Sequence, residues 1–224
     1  MINALSGGGG PEPAPSCPLC RQPAAHLYHR DKFREYNRCV ECALVFVPSQ
    51  YHLSSDAEKA YYDLHENDLH DEGYERFLSR CAKPLLERLP NTASGLDFGC
   101  GPAPLLAHLL GRAGHRMATY DLYYQPDSSV LHQSFDFIVS TEVVEHLADP
   151  RQVLLDLWLS IRPGGLLALM TKLVVDRERF ASWHYIRDPT HIVFFSKETF
   201  SWLAQYLNAE LEICGSDVIF LKKP

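Results

Sequence analysis

The chain has 224 residues, enough at about 150 residues per domain for one sizeable unit and a small appendage, and too few for a multidomain machine. At 46% hydrophobic, 11% aromatic and 22% charged residues it can fill a core, which excludes a disordered chain. Twenty-eight acidic against 21 basic residues leave a net charge of −7, which counts against a generic basic nucleic-acid surface. No apolar run reaches the roughly 18 residues that a membrane helix needs. Met1 to Gly10 lacks the basic start and apolar stretch of a signal peptide, so a cytoplasmic protein is expected.

Residues 1–16 are mostly Gly, Pro, Ser and Ala and read as a flexible leader. The seven cysteines are an odd number, which argues against a secreted disulfide scaffold. Four of them form Cys17-x2-Cys20 and Cys39-x2-Cys42, with residues 21–38 free to fold as a hairpin between the two turns. Two such turns facing each other make a tetrahedral sulfur site, and the metal replaces a core that about 30 residues cannot build. Structural zinc is expected; rubredoxin-like iron shares the geometry, and a redox CxxC pair is the duller alternative. The module spans 17–48, with Leu44, Val45 and Phe46 in its last strand.

A helical linker or cap follows over 49–90, its apolar residues at helical spacing and an acidic break around Glu66 to Gly73. From 91 to 224 short apolar runs alternate with helical stretches, the mark of a mostly parallel sheet with helices on both faces. Strands are expected at Gly95–Gly99, Arg116–Tyr120, Phe135–Ser140 and Leu166–Met170, then at Leu211–Ile213 and Val218–Leu221. Helices are expected at Leu105–Gly114, Val143–Leu147, Gln152–Ile161 and Lys197–Asn208, the last capped by Ser196. Ligands of such sheets sit at the carboxyl ends of the strands.

Leu96-Asp97-Phe98-Gly99-Cys100-Gly101-Pro102 puts two glycines between a strand and a helix, where backbone can approach a ligand closely. The third glycine of a dinucleotide fingerprint is missing, since position 104 is Pro. The next strand ends in Asp121, placed to accept hydrogen bonds from a ribose diol. The pair suits any ribose-bearing cofactor.

This glycine loop, the run Phe135-Asp-Phe-Ile-Val-Ser-Thr-Glu-Val-Val-Glu-His146-Leu and the Arg162-Pro-Gly-Gly165 turn before Leu166–Met170 together resemble class I S-adenosylmethionine-dependent methyltransferases. More narrowly they are similar to ubiquinone-biosynthesis O-methyltransferase-like proteins. The segment Trp183-His-Tyr-Ile-Arg-Asp-Pro-Thr-His191 resembles a bacterial subgroup that carries an N-terminal zinc knuckle. The resemblance implies an α/β fold: a Rossmann-like seven-stranded methyltransferase sheet with helices on both faces, plus a small zinc-ribbon-like module. It also implies S-adenosylmethionine as cofactor. Asp97 and the backbone of Gly99, Cys100 and Gly101 would hold the methionine end. Asp121, with Leu122 beside it, would hold the ribose, and Glu142 would line the cofactor and the acceptor. The stretch from Gln125 to Gln133 is too short to assign an adenine contact.

Methyl transfer from a sulfonium needs an aligned nucleophile, a base where the acceptor is weak, and exclusion of water. Candidate bases are His191, His146 and Glu145. Each has a duller reading: His191 as a loop support bonded to Asp188, and His146 as a closing residue of its helix. Trp183 and Tyr185 would share one face of an extended segment, walling the substrate or only burying aromatic surface. Arg187 would bind an acidic substrate group or pair with Asp188 or Asp176. Cys81, Cys100 and Cys214 read as small buried hydrophobes.

The leading expectation is methyl transfer to a small-molecule acceptor, enclosed by the zinc module and the helices of 51–89. A tRNA or rRNA methyltransferase is the alternative, with Arg21, Arg30, Lys32, Arg34 and Arg38 reading RNA. A non-catalytic zinc adaptor is the third, and its sequence mark, a broken glycine loop, is absent. Oligomeric state and the acceptor atom stay open.

Overall fold

The computed structural model describes residues 15–64 and 71–224. Most of the expected leader and residues 66–70 of the acidic break expected at Glu66 to Gly73 therefore lie outside the described residues; of the rest of that break, Asp71 caps a helix that begins at Glu72.

The main sheet joins β4 (Ser94–Phe98), β5 (Arg116–Tyr120), β6 (Phe135–Thr141), β7 (Ile161–Met170), β9 (Glu210–Cys214) and β10 (Val218–Lys222) in the order β5-β4-β6-β7-β10-β9. The β5-β4-β6-β7 half is parallel, and the β9–β10 hairpin completes the sheet antiparallel. This is the Rossmann-like sheet flanked by helices of class I methyltransferases, with one difference in strand number. Among the described residues the main sheet has six strands instead of seven, because the segment after β5 folds as a 3-10 turn over Ser128–His132. Asp127 caps that turn through the Ser129 N–H, and a chain held in a tight turn has no extended backbone to add to the edge.

Alternation along the strands sorts the core into two layers. Phe137 and Val139 face one side, where they pack with Leu78, Cys81 and Leu85 of α2 (Glu72–Leu86) and Leu105, Leu106 and Leu110 of α3 (Leu105–Arg112). Ile138, Leu167 and Leu169 face the other, against Leu154 and Trp158 of α4 (Pro150–Ser160) and Phe200 and Leu203 of α6 (Lys197–Leu207). The α6 start matches its sequence reading: Ser196 and Thr199 form a reciprocal capping box. The Arg162–Gly165 stretch, expected to be a turn, is the first part of β7. Val143–Leu147 is shorter than expected, a single 3-10 turn over Val144–His146.

A second sheet has the order β1-β2-β3-β8: β1 (Ala25–Arg30), β2 (Glu35–Cys39) and β3 (Val45–Phe46) come from the cysteine module, and β8 (Val193–Phe194) from the segment before α6. Val45 pairs with Phe194 and Phe46 with Val193. Cys17, Cys20, Cys39 and Cys42 share a core with the α4/α6 layer, so the module is packed onto the sheet. Two short helices complete the molecule, α1 (Ser55–Tyr62) and α5 (Arg177–Ser182). Among the described residues no helix is long and apolar enough to cross a membrane.

Candidate active site

The glycine loop leaves β4 with Gly99 at φ +76° and Gly101 at φ +65°, both in the left-handed region. Gly99 N and Cys100 N donate to Tyr120 O at 2.8 and 3.2 Å, closing the loop against the end of β5. The Asp121 carboxylate then organises two loops at once. Its Oδ2 accepts from Gly101 N at 2.9 Å, and its Oδ1 from Tyr123 N at 2.9 Å and Tyr124 N at 3.1 Å. A Cβ built on Gly101 would meet nothing within 4 Å, so the loop opens onto free space. Asp97 lies beneath this loop, buried, with Oδ2 accepting from Ala107 N at 3.1 Å; burial pushes its carboxyl up to about 7. The Cys100 thiol, pushed up to about 12 by burial, is packing material and not a nucleophile.

A cavity of about 930 Å³ opens over this loop. Gly99, Cys100, Gly101, Asp121, Leu122 and Glu142 line it; Asp97 does not. The helices expected over 51–89 to enclose the acceptor do border it, through side chains that the sequence did not single out. Tyr61 and Tyr62 of α1 and Tyr74 and Phe77 of α2 line it too, and none belongs to a chemical motif. Helix α1 is strapped to the Asp121 loop: Tyr123 Oη donates to Glu58 Oε2 at 2.7 Å and Tyr124 Oη to Asp63 Oδ1 at 2.7 Å. Tyr62 Oη donates to the other Glu58 oxygen at 2.9 Å.

Glu145, His146 and His191 each bring one ligand-type atom within 4.8 Å of the others. His146 and His191 line the cavity and stand edge to face, 4.7 Å between ring centres. Glu145 is fully buried behind them. Its Oε1 accepts from Tyr185 Oη, while its Oε2 has no hydrogen-bond partner among the described residues. Burial pushes the Glu145 carboxyl up to about 7 and the Glu142 carboxyl up to about 8. His191 Nδ1 meets Tyr185 O at 2.8 Å, which makes Nδ1 the donor and leaves Nε2 as the basic nitrogen. Burial, then the neighbouring His146, lowers His191 to about 4, so the ring is neutral near pH 7. The Asp188 carboxylate stands 3.8 Å from Nε2.

The segment carrying these groups is held by the cysteine module. Arg34, buried in the β1–β2 turn region, donates to three carbonyls of that segment: Ile186 O at 2.8 Å, Asp188 O at 2.7 Å and Pro189 O at 3.1 Å. Tyr36 Oη reaches Arg34 Nε, Asp31 and Ile186 O at 2.9–3.1 Å. Pairing of β3 with β8 continues into Val47 N→Ile192 O at 2.8 Å and Ile192 N→Glu145 O at 2.9 Å. A chain of backbone bonds thus runs from the module to Glu145.

This closure corrects the extended geometry expected for residues 183–185. His184–Arg187 is a 3-10 turn, because one guanidinium collects carbonyls from three nearby residues and the backbone must fold back to present them. Tyr185 lines the cavity; Trp183 does not, and its ring lies 4.9 Å from that of Tyr185. Arg187 lines the cavity and forms neither ion pair considered for it, with Asp188 or Asp176, among the described residues.

The four module thiols fit a metal. Their sulfurs lie within 4.8 Å of one another, with Cys17–Cys42 at 3.5 Å and Cys20–Cys39 at 3.4 Å. Tetrahedral zinc at about 2.3 Å from each sulfur requires about 3.8 Å between them. All four are buried and unbridged by disulfides. The Cys42 hydrogen bond lowers the Cys17 thiol to about 6, whereas burial pushes Cys20 up to about 12; only a cation lets four thiolates share such a site. Closed to the cavity, the zinc would be structural.

Residues 69–212 match the family model described as a methyltransferase domain. No curated protein matches the chain. Among solved structures, an O-methyltransferase family protein from Burkholderia thailandensis superimposes with a TM-score of 0.52 at 12% identity, over 78% of this chain and 61% of that one. The 1,6-didemethyltoxoflavin-N1-methyltransferase of the same organism gives a TM-score of 0.50 at 15% identity, over 89% of this chain and 99% of that one. At these identities the likeness is one of fold.

Proposed function

Because the chain belongs to the methyltransferase-domain family over residues 69–212, we propose that it moves the methyl group of S-adenosylmethionine onto a small molecule enclosed in the cavity. The observation that carries this reading is one cavity lined both by the glycine loop with Asp121 and by His146 and His191, with Glu145 buried beside the two histidines. The bound cofactor supplies an electrophilic methyl on a sulfonium. Gly99–Gly101 and Asp121 would hold it, with Leu122 and Glu142 alongside, and Asp97 would support the loop from below. The α1 and α2 aromatics exclude water and confine the acceptor.

His191 is assigned as the base. Its Nε2 lone pair is available near pH 7, its tautomer is fixed by Tyr185 O, and Asp188 stabilises the imidazolium that proton removal creates. Glu145 supports it from behind, and His146 packs the ring in place. Tyr185 and Arg187 would contact the acceptor, and Trp183 would back Tyr185. The narrower placement, beside ubiquinone-biosynthesis O-methyltransferase-like proteins in a subgroup with a zinc knuckle, belongs to the same reading. It is supported by the Glu142–His146 run together with the four-cysteine cluster.

Three of the five basic residues of the RNA alternative already have partners, Arg34 in the interior and Arg21 and Arg30 at the surface. Arg21 pairs with Asp149, Arg30 with Glu35, and Arg34 is buried on loop carbonyls, which leaves Lys32 and Arg38. The test is to supply S-adenosylmethionine with a labelled methyl to the small-molecule and RNA fractions of one extract. Label is expected in a small product; label in RNA alone would overturn the reading. With the acceptor in hand, His191→Gln should lower turnover about 10²–10⁴-fold, the usual worth of a general base. Glu145 ionises as pH rises through about 7, strengthening the neighbouring base, so kcat/KM should climb through that pH. Glu145→Gln should lose that limb.

A further inference from the structure

Three basic side chains line the cavity on the segments that follow β7: Lys172, His184 and Arg187. Lys172 Nζ lies 3.0 Å from His184 Nε2 and 5.2 Å from the centre of the Tyr185 ring. An ammonium can only donate, so the imidazole accepts and holds the lysine in place. Neither Lys172 nor Arg187 forms an ion pair among the described residues, in a chain whose net charge is −7. Asp188, the nearest acid in sequence, spends its Oδ1 on Thr190 N at 2.8 Å and Thr190 Oγ1 at 2.5 Å, and turns its Oδ2 toward His191. Glu142 lies close enough to feel the Lys172 charge but forms no ion pair with it, and burial pushes its carboxyl up to about 8. Glu58 and Asp121 also line the cavity, but Glu58 accepts from Tyr62 and Tyr123 and Asp121 from the backbone of Gly101, Tyr123 and Tyr124. Cations without an ion-pair partner beside Tyr61, Tyr62, Tyr74 and Phe77 mark where an anionic ligand group would sit.

We propose that Lys172, His184 and Arg187 form an oxyanion subsite that takes a carboxylate or phosphate group of the acceptor, while the acceptor's apolar body lies against the tyrosines of α1 and α2. This rests on the reading of the cavity as an acceptor site. An ammonium as point charge and a guanidinium as planar fork suit either oxyanion. The subsite selects acidic aromatic acceptors over neutral ones of the same shape.

The test uses the full metal-loaded chain, with and without S-adenosylhomocysteine, and three probes of similar size: benzoate, phenyl phosphate and neutral benzamide. Binding is followed by ligand-observed NMR. At least one anion should bind about tenfold more tightly than benzamide, as a charge-assisted hydrogen bond provides. The preferred anion assigns the group as carboxylate or phosphate. Lys172→Met with Arg187→Met should erase the preference, with S-adenosylhomocysteine affinity unchanged as the control for folding. Equal binding of all three probes would overturn the subsite, as would a preference that survives the double substitution. Should the chain bind no S-adenosylhomocysteine yet keep an anion preference that the double substitution removes, the subsite stands and the methyltransferase reading falls.

Discussion

Stripping the metal from Cys17, Cys20, Cys39 and Cys42, or replacing Cys39 with Ser, is expected to lower methyl transfer at least about a hundredfold while cofactor affinity changes only a few-fold. The difference follows from where the bonds run. The glycine loop and Asp121 are tied to β4 and β5, far in the chain from the module. The segment bearing Tyr185, Asp188 and His191 is tied to the module itself, through Arg34, Tyr36 and the β3–β8 pairing. Structural zinc supplies roughly 10–16 kcal/mol of folding energy to such a module, so its loss releases every one of these contacts. A subtler variant isolates the linkage. Arg34→Ala keeps the thiols but strands three carbonyls, a loss of about 1–3 kcal/mol for each group left buried and unpaired. It should lower kcat/KM about a hundredfold with metal content unchanged. Arg34→Lys should restore little, because an ammonium cannot span three carbonyls as the guanidinium fork does. Turnover against metal content, with calorimetry of cofactor binding alongside, checks each arm. Full activity in the metal-free protein would sink the account of the module.

Gly99→Ala is the second large effect. Its Cβ would lie 2.3 Å from Val143 Cγ2, and its φ of +76° is one that L residues rarely adopt. The left-handed conformation alone costs roughly 1–2 kcal/mol, and Val143 belongs to the segment that carries Glu142 and Glu145. Both thermal stability and cofactor affinity should fall, the latter at least about a hundredfold. Gly101→Ala is the contrast. It shares the positive φ but meets nothing within 4 Å, because its Cβ would project into the open cradle. It should cost less stability than Gly99→Ala and still obstruct the cofactor. Equal melting temperatures for the two variants would contradict this division of labour.

What the sequence made legible was chemistry packed into short windows. The Gly99–Gly101 loop with Asp121, the Cys17-x2-Cys20 and Cys39-x2-Cys42 turns, and the apolar strand expected at Phe135–Ser140 are local signals, and each lies where its pattern placed it. Hidden were the partnerships of residues distant in the chain. Arg34 read as one basic residue of a possible RNA surface, whereas its three carbonyl partners lie at 186, 188 and 189. The helices of 51–89 were expected to enclose the acceptor, but a helical period does not say which of their residues, here Tyr61, Tyr62, Tyr74 and Phe77, reach the cavity. Besides the Arg162–Gly165 turn and the Val143–Leu147 helix, two readings failed for want of tertiary constraint. The edge after β5 curls into a 3-10 turn where a strand was implied, and His184–Arg187 folds back to meet Arg34 where an extended segment was expected.

Calorimetric titration of the metal-loaded chain with S-adenosylhomocysteine, beside the Asp121→Ala variant, tests the central claim most directly. Asp121 accepts from Gly101, Tyr123 and Tyr124, so its loss loosens both loops as well as removing the ribose contact proposed for it. The expected result is one site of about micromolar affinity in the native chain and no measurable heat in the variant. Absence of binding in the native chain, or equal binding in both, would contradict a cofactor site at this loop.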